Sequence, residues 1–441
     1  MQKAGAIKMD TQHQFTVVIA GAGYAGVTAA RTLGKQSAVR VVLIDQHDYH
    51  LLQFQLHEAA VNKIEVDALA LPLDQLLPRQ VEFMQARMNG FDFKQHTVKT
   101  DRGSVAYDRL IIALGSQAAT YNIAGLNENG LMLKSMSDAR RIRGHLEVAL
   151  SALKSQHRSI PYPIVIGGAG ITGVELAAEL SEGLRHLTRE YDLARDAIKI
   201  VLIEAAANVL PGFDHRTVEE AAAALKRLGV DVRTGFAVER VETDRVSVKT
   251  IGSNANESIE TGTFIWTGGV QANSLVLNSG LSLGERGAAK VDEYLRSIDY
   301  ADVSIVGDNA VVRDPRNGHV VMPCGQLAVK QGQYAAKQIL ADFTGELEQP
   351  YIPLMDGLLI SLGSYAGVGT IGPVWVRRLI ARLAKIGAET RYLFNLGGVK
   401  LVTLRWLGLR HEWVTALRTM RGLRGSMSHH KTLRPGKGTV K

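Results

Sequence analysis

The sequence predicts an α/β fold built from two parallel-sheet units. Three observations carry this. The chain is 441 residues long, beyond the size at which a single core stops growing. A short apolar run, a glycine-rich turn and an alanine-rich helical stretch follow one another from residue 15. The same succession returns from residue 163.

The first unit opens with FTVVIAGAGYAGVTAARTLGK. The run from Val17 reads as a buried strand of a parallel sheet. Gly21, Gly23 and Gly26 then give GxGxxG, with Ala22, Tyr24 and Ala25 in the same turn. The next strand, VVLID, ends in Asp45, 24 residues after Gly21, followed by Gln46. Strand, glycine turn, helix, strand and terminal acid form the complete dinucleotide fingerprint. Glycines let backbone N–H groups approach a pyrophosphate at a helix N-terminus, and the acid accepts bonds from a ribose.

In the second unit, PIVIGGAGITGVELAAELSE supplies Gly168, Gly170 and Gly173, with Ile171 and Thr172 between them. Its later strand, IKIVLIE, ends in Glu204. The interval from Gly168 is 36 residues, and a lengthened helix through Leu187 accounts for the excess. Two fingerprints imply two dinucleotides. A strand at 107–116 contains Ala113 and Gly115, and one at 301–310 ends in Gly307 and Asp308.

With these two segments the chain resembles the two-dinucleotide-binding flavoprotein superfamily. The resemblance implies two Rossmann-like dinucleotide-binding domains, the NAD domain inserted into the FAD domain, plus a C-terminal basic amphipathic region. The expected division is an FAD-binding domain over 1–121 and 284–350, an NAD-binding domain over 122–283, and a membrane-association region with a disordered tail over 351–441. Hinges are expected near Ile123 and Gly284. FAD is assigned to Gly21 through Gly26, Asp45, Gln46, Met88, Ala113, Gly115, Gly307, Asp308, Gln326 and Leu327. NADH is assigned to Gly168, Gly170, Ile171, Thr172, Gly173 and Glu204, with Gly268 and Gly269 of the FIWTGGV turn bordering the nicotinamide.

The electron acceptor follows from other features. Cys324 is the only cysteine, so a disulfide or paired-thiol relay beside the flavin is excluded. A small buried thiol is the expectation for it. The helix start MPCGQLAVKQ resembles the Ala-Gln-x-Ala-x-Gln signature of type II NADH:quinone oxidoreductases. Gln326 and Ala328 match, Gly325 replaces the first alanine, and Lys330 replaces the second glutamine. This resemblance implies that Gln326, and Lys330 by position, orient a quinone near the flavin. It also implies that Glu175, in GVELA, sits near the isoalloxazine. A buried carboxylate there is expected to have a raised pKa suited to general acid–base work. His47, His50 and His57 read as loop histidines near the cofactor, and no metal is expected.

Charge is unevenly spread. Residues 371–441 hold 15 Lys/Arg against Glu389 and Glu412, whereas the preceding 370 residues hold 36 basic and 41 acidic groups. Residues 374–386 and 411–424 read as two amphipathic helices with an apolar and an opposite basic face, as an interfacial membrane helix needs. The first places Val376, Leu379, Ile380, Leu383 and Ile386 on its apolar face. The stretch 352–376 reads as strands and turns, and no charge-free run of ~20 apolar residues exists to span a bilayer. Without a visible signal sequence, the expectation is a non-pumping NADH:quinone oxidoreductase held peripherally on the cytoplasmic face of an anionic membrane. A homodimer is compatible with this. The alternatives are a soluble NAD(P)H reductase with a protein acceptor such as ferredoxin, and a signalling flavoprotein whose tail binds nucleic acid. Sparse aromatic interleaving disfavours the last.

Overall fold

The structure is a computed structural model that describes residues 14–156, 161–194, 196–253, 255–344 and 349–406. The chain forms two compact units, 1–386 and 387–441. In the first, β1 (Thr16–Ala20), α1 (Tyr24–Leu33), β2 (Arg40–Asp45), α2 (Leu56–Ala60), β3 (Val81–Gln85) and β4 (Arg109–Ile112) begin one parallel sheet with its covering helices. The chain then builds a second sheet from β5 (Gly130–Met132), β6 (Tyr162–Gly167), α3 (Ile171–Glu190), β7 (Ile198–Glu204), α4 (His215–Leu228), β8 (Asp231–Thr234) and β9 (Thr263–Trp266). It returns with β10 (Val303–Ile305), which closes the first sheet in the order β10-β4-β1-β2-β3. The second sheet runs β5-β9-β6-β7-β8, also parallel throughout.

The burial pattern explains the topology. All five residues of β1 are buried, as a central parallel strand with both faces covered requires. Val165, Val201, Ile203, Phe264 and Trp266 form one core around the second sheet. At roughly 25 cal/mol per Å², each fully buried aliphatic side chain contributes about 1.5–3 kcal/mol. Helix α5 (Gly325–Thr344) packs on α1 so closely that a Cβ on Gly332 would lie 2.1 Å from the Ala25 carbonyl oxygen.

An antiparallel ribbon follows, β11 (Gly357–Ser361), β12 (Gly367–Ile371) and β13 (Val374–Arg377). The strands expected within 352–376 are therefore present. The helix expected over 374–386 is not intact. Its first four residues are β13, paired with β12, and α6 (Arg378–Trp406) starts only at Arg378, whose φ of 53° makes the turn. Two residues of the basic face turn inward. Arg382 and Lys385 are buried, while Leu379, Ile380 and Leu383 are more than half exposed. Specific inward carboxylates outweigh the general preference for solvated basic groups. In the second unit, residues 387–406 are helical except at Gly398, where φ is 65°. The expected helix at 411–424 lies outside the described residues. No helix among the described residues is long and apolar enough to cross a membrane.

Candidate active site

Two glycine loops form mirror constructions at the carboxyl ends of β1 and β6. Gly21 has φ +103° and Gly168 has φ +99°, and each donates its N–H across its sheet, to Ile44 and Ile203. An L side chain at either position would be strained. A Cβ on Gly26 would lie 1.8 Å from the Gly21 oxygen, and one on Gly173 would lie 1.9 Å from the Gly168 oxygen. The third glycine of each loop thus lets helix meet strand. The middle glycine faces space: a Cβ on Gly23 would meet only the Ala113 oxygen, at 3.9 Å, and one on Gly170 nothing within 4 Å. That open approach to N-terminal backbone amides suits a pyrophosphate.

The strand-end acids repeat the symmetry. Asp45 accepts from the backbone N–H of Ala22 at 2.7 Å and of His47 at 2.8 Å. Glu204 accepts from Ala169 at 2.7 Å and Ala206 at 2.9 Å. Burial raises the Asp45 pKa against the pull of the Ala22 and His47 amides. Both carboxylates stand at the loop mouths where a ribose would lie. Three-residue turns after each acid differ, and Ala205, Ala206 and Ala207 supply no cation beside Glu204.

Around the first loop, Ala113 donates to Ala20 at 2.8 Å, and its oxygen closes the space beside Gly21. The buried Asn309 amide, oriented to satisfy both of its ends, donates to the Gly115 oxygen at 2.8 Å and accepts from Leu114 and Gly115. Gly307 donates to Gln331 Oε1 at 2.7 Å. Ser116 Oγ donates to Asp308 Oδ2 at 2.5 Å. The start of α5 lies here too: the nearest atoms to a Cβ on Gly325 are those of the Tyr24 ring, from 3.6 Å. Leu327 is buried in its first turn. Gln46 offers its carbonyl to Gln85 at 3.2 Å, and the buried Met88 opens the edge strand of a three-stranded antiparallel sheet. His50 is fully buried and hydrogen-bonds the Ala22 oxygen through Nδ1 at 3.0 Å, so it supports the glycine loop from behind.

Around the second loop, the Cα of Gly268 is the nearest atom to a Cβ placed on Gly168, and Thr267 Oγ1 donates to the Gly168 oxygen at 2.8 Å. Gly269 lies against the Tyr121 hydroxyl. Ile171 and Thr172 open α3.

Glu175 differs from expectation. It is buried, and burial by itself would raise its pKa. Lys385, with a hydrogen bond from Ser361 N–H, instead holds it below the ordinary carboxylate range. Lys385 Nζ donates to Glu175 Oε1, which also accepts from Ser361 N and Oγ, each at 2.9 Å. His57 Nδ1 is 3.7 Å from the other oxygen. Glu175 is therefore an ionised, ion-paired group, not a neutral acid in waiting. His57 is pushed down chiefly by burial and is neutral at pH 7. Neighbouring Arg382 pairs with Glu58 at 3.0 Å and Lys63 with Glu179 at 2.8 Å. His57, Glu58 and Glu179 are close enough to share an ion, but Lys63 and Arg382 already neutralise the carboxylates.

Gln326 and Lys330 both reach the loop before β11. Gln326 Oε1 accepts from Asp356 N at 2.7 Å. Lys330 Nζ donates to the Leu354 oxygen at 2.7 Å and to Asp356 Oδ1 at 2.6 Å. The half-buried Cys324 thiol is raised chiefly by burial and lies 3.8 Å from Met355 Sδ.

The family profile described as pyridine nucleotide-disulphide oxidoreductase matches residues 15–336. The chain belongs to this family. Within it, the resemblance to type II NADH:quinone oxidoreductases is borne out. The chain is 28% identical over 396 residues to the type II NADH:quinone oxidoreductase of Staphylococcus saprophyticus, covering 88% of this chain and 98% of the relative. The Staphylococcus aureus protein of the same name is 27% identical over the same coverage. Among solved structures, NDH2 from Plasmodium falciparum in complex with NADH superimposes with a TM-score of 0.80 at 16% identity, covering 90% of this chain and 99% of that one. The sulfide:quinone oxidoreductase of Aquifex aeolicus gives 0.74 at 19% identity, over 87% and 91%. The two inserted Rossmann-like sheets are thus the fold of this family.

Proposed function

We propose that the protein is a flavoenzyme that oxidises NADH and passes two electrons through FAD to a membrane quinone, without moving ions across the membrane. What supports the reading is the pairing of two dinucleotide cradles with an α5 start that carries Gln326 but no second cysteine. Relatives named type II NADH:quinone oxidoreductase over 88% of the chain support the same activity.

FAD, when bound, supplies a hydride acceptor for NADH and a two-electron donor to quinone. The protein's residues provide the rest. The Gly21–Gly26 loop, Asp45 and Asp308 bind FAD, with the first FAD segment taken as 1–121 and the second as 284–350. The Gly168–Gly173 loop and Glu204, within 122–283, bind NADH. The positive end of helix α5 would stabilise the negative charge of the reduced flavin. Gln326 orients the quinone. The Lys385–Glu175–His57 cluster holds a fixed ion pair next to a neutral imidazole. Attachment to the cytoplasmic membrane face uses the exposed Leu379, Ile380 and Leu383 ridge together with the basic C-terminal region.

The test is steady-state NADH oxidation by purified protein with a short-chain quinone, ferredoxin or oxygen as acceptor. Quinone should turn over fastest, and Gln326→Leu should slow it while leaving stopped-flow reduction by NADH unchanged. Faster turnover of ferredoxin or oxygen would overturn the assignment.

A further inference from the structure

Lys134 was not among the residues that the sequence pointed to, yet its placement is unusual. It follows β5, the edge strand of the second sheet, and its backbone N–H is capped by Asp138 Oδ2 at 3.0 Å. Its side chain turns toward the first sheet. Lys134 Nζ donates to Ser116 Oγ at 3.0 Å, and Ser116 Oγ donates in turn to Asp308 Oδ2 at 2.5 Å. Ser116 itself belongs to a short strand (Ser116–Ala118) paired antiparallel with Val270–Ala272, so it sits on the crossing between the sheets.

The ammonium is half-buried, and among the described residues it makes no ion pair within 4 Å. Burial lowers its pKa, with Asp308 and Asp138 pulling the other way. A desolvated cation held one hydroxyl away from a carboxylate is costly unless further negative charge is nearby. Reduced flavin, when bound, would supply such charge. The hydroxyl also fixes which Asp308 oxygen is engaged, so the other is left to accept a bond from FAD.

We propose that Lys134 and Ser116 are positioning residues for FAD: the NADH-binding half sends a cation through Ser116 to orient Asp308 and to favour the reduced flavin. The proposal rests on the reading that Asp308 holds FAD. FAD retention and flavin potential then depend on a side chain from the other sheet.

Apoprotein of the wild type, Lys134→Met, Lys134→Arg, Ser116→Ala and Asp308→Asn would be titrated with FAD by fluorescence quenching. The bound flavin's midpoint would be measured against a reference dye. Lys134→Met should weaken FAD binding about ten-fold for the oxidised form and a further ten-fold for the reduced form. That second factor lowers the midpoint by about 30 mV for two electrons. Lys134→Arg should restore most of the potential. Ser116→Ala should weaken binding with less change in potential, and the Lys134→Met/Ser116→Ala double variant should be less affected than the two single losses combined. Wild-type affinity and potential in Lys134→Met would overturn the proposal, as would a lower apoprotein melting temperature with both flavin readouts unchanged. Normal FAD binding by Asp308→Asn would instead remove the Asp308 reading beneath it.

Discussion

Donor choice can be worked from the geometry of Glu204. Two backbone amides, Ala169 at 2.7 Å and Ala206 at 2.9 Å, hold its carboxylate at the mouth of the second glycine loop. Ribose hydroxyls can donate to such a carboxylate, whereas a 2′-phosphate meets like charge. Two unit charges ~4 Å apart repel by roughly 4 kcal/mol at an effective dielectric of ~20. If screening leaves half of that, about 2 kcal/mol remains, a preference of roughly thirty-fold. The turn after Glu204 is Ala205, Ala206 and Ala207, so no local cation offsets the repulsion. Glu204→Ala removes both the repulsion and the ribose acceptor. NADPH should gain and NADH should lose, narrowing the ratio by about ten-fold or more. The assay is kcat/KM for both donors in both proteins. A wild type that uses NADPH as well as NADH, or a variant with an unchanged ratio, would refute the placement of Glu204 at the ribose.

Three further outcomes follow from other contacts. Gly26→Ala places a Cβ 1.8 Å from the Gly21 oxygen and should purify with little flavin absorbance, whereas Gly173→Ala, at 1.9 Å from Gly168, should retain flavin that dithionite reduces but NADH does not. Lys385→Met removes the cation that holds Glu175 ionised; breaking a buried pair costs about 3–5 kcal/mol, so the melting temperature should fall. Burial then dominates and the Glu175 pKa rises, adding a titration to the pH profile of flavin reduction that the wild type lacks. His50 is pushed by burial from 6.5 down to about 4. The unfolded chain therefore binds more protons between those values, and stability present above pH 6.5 is lost as pH falls toward 4. The loss amounts to about 3 kcal/mol, and chemical denaturation at pH 7.5 and 4.5 should show it in the wild type but much less in His50→Gln.

The cradles were legible in the sequence because their constraints are local. Gly21, Gly26 and Asp45 answer to one strand–turn–helix–strand unit, and so do Gly168, Gly173 and Glu204. The Glu175 network was not legible, because it is assembled from four distant segments. Arg382 and Glu58 are 324 residues apart, and Lys385 and Glu175 are 210 apart. One signal was present. Glu175, Glu179 and Glu182 recur at i, i+4 and i+7 amid the alanines and leucines of α3, a carboxylate stripe on a face that otherwise reads as core. Such a stripe demands buried donors, and Lys385, Lys63 and the Ser364 N–H meet it. That demand also decides how α6 sits. With Arg382 and Lys385 drawn inward, Leu379, Ile380 and Leu383 are left outside. An apolar ridge excludes water from a lipid surface in a way that basic side chains alone do not. The proposed membrane attachment through this part of the helix would rest on burial of aliphatic area and should survive high salt, whereas attachment through lysines and arginines alone would be screened away.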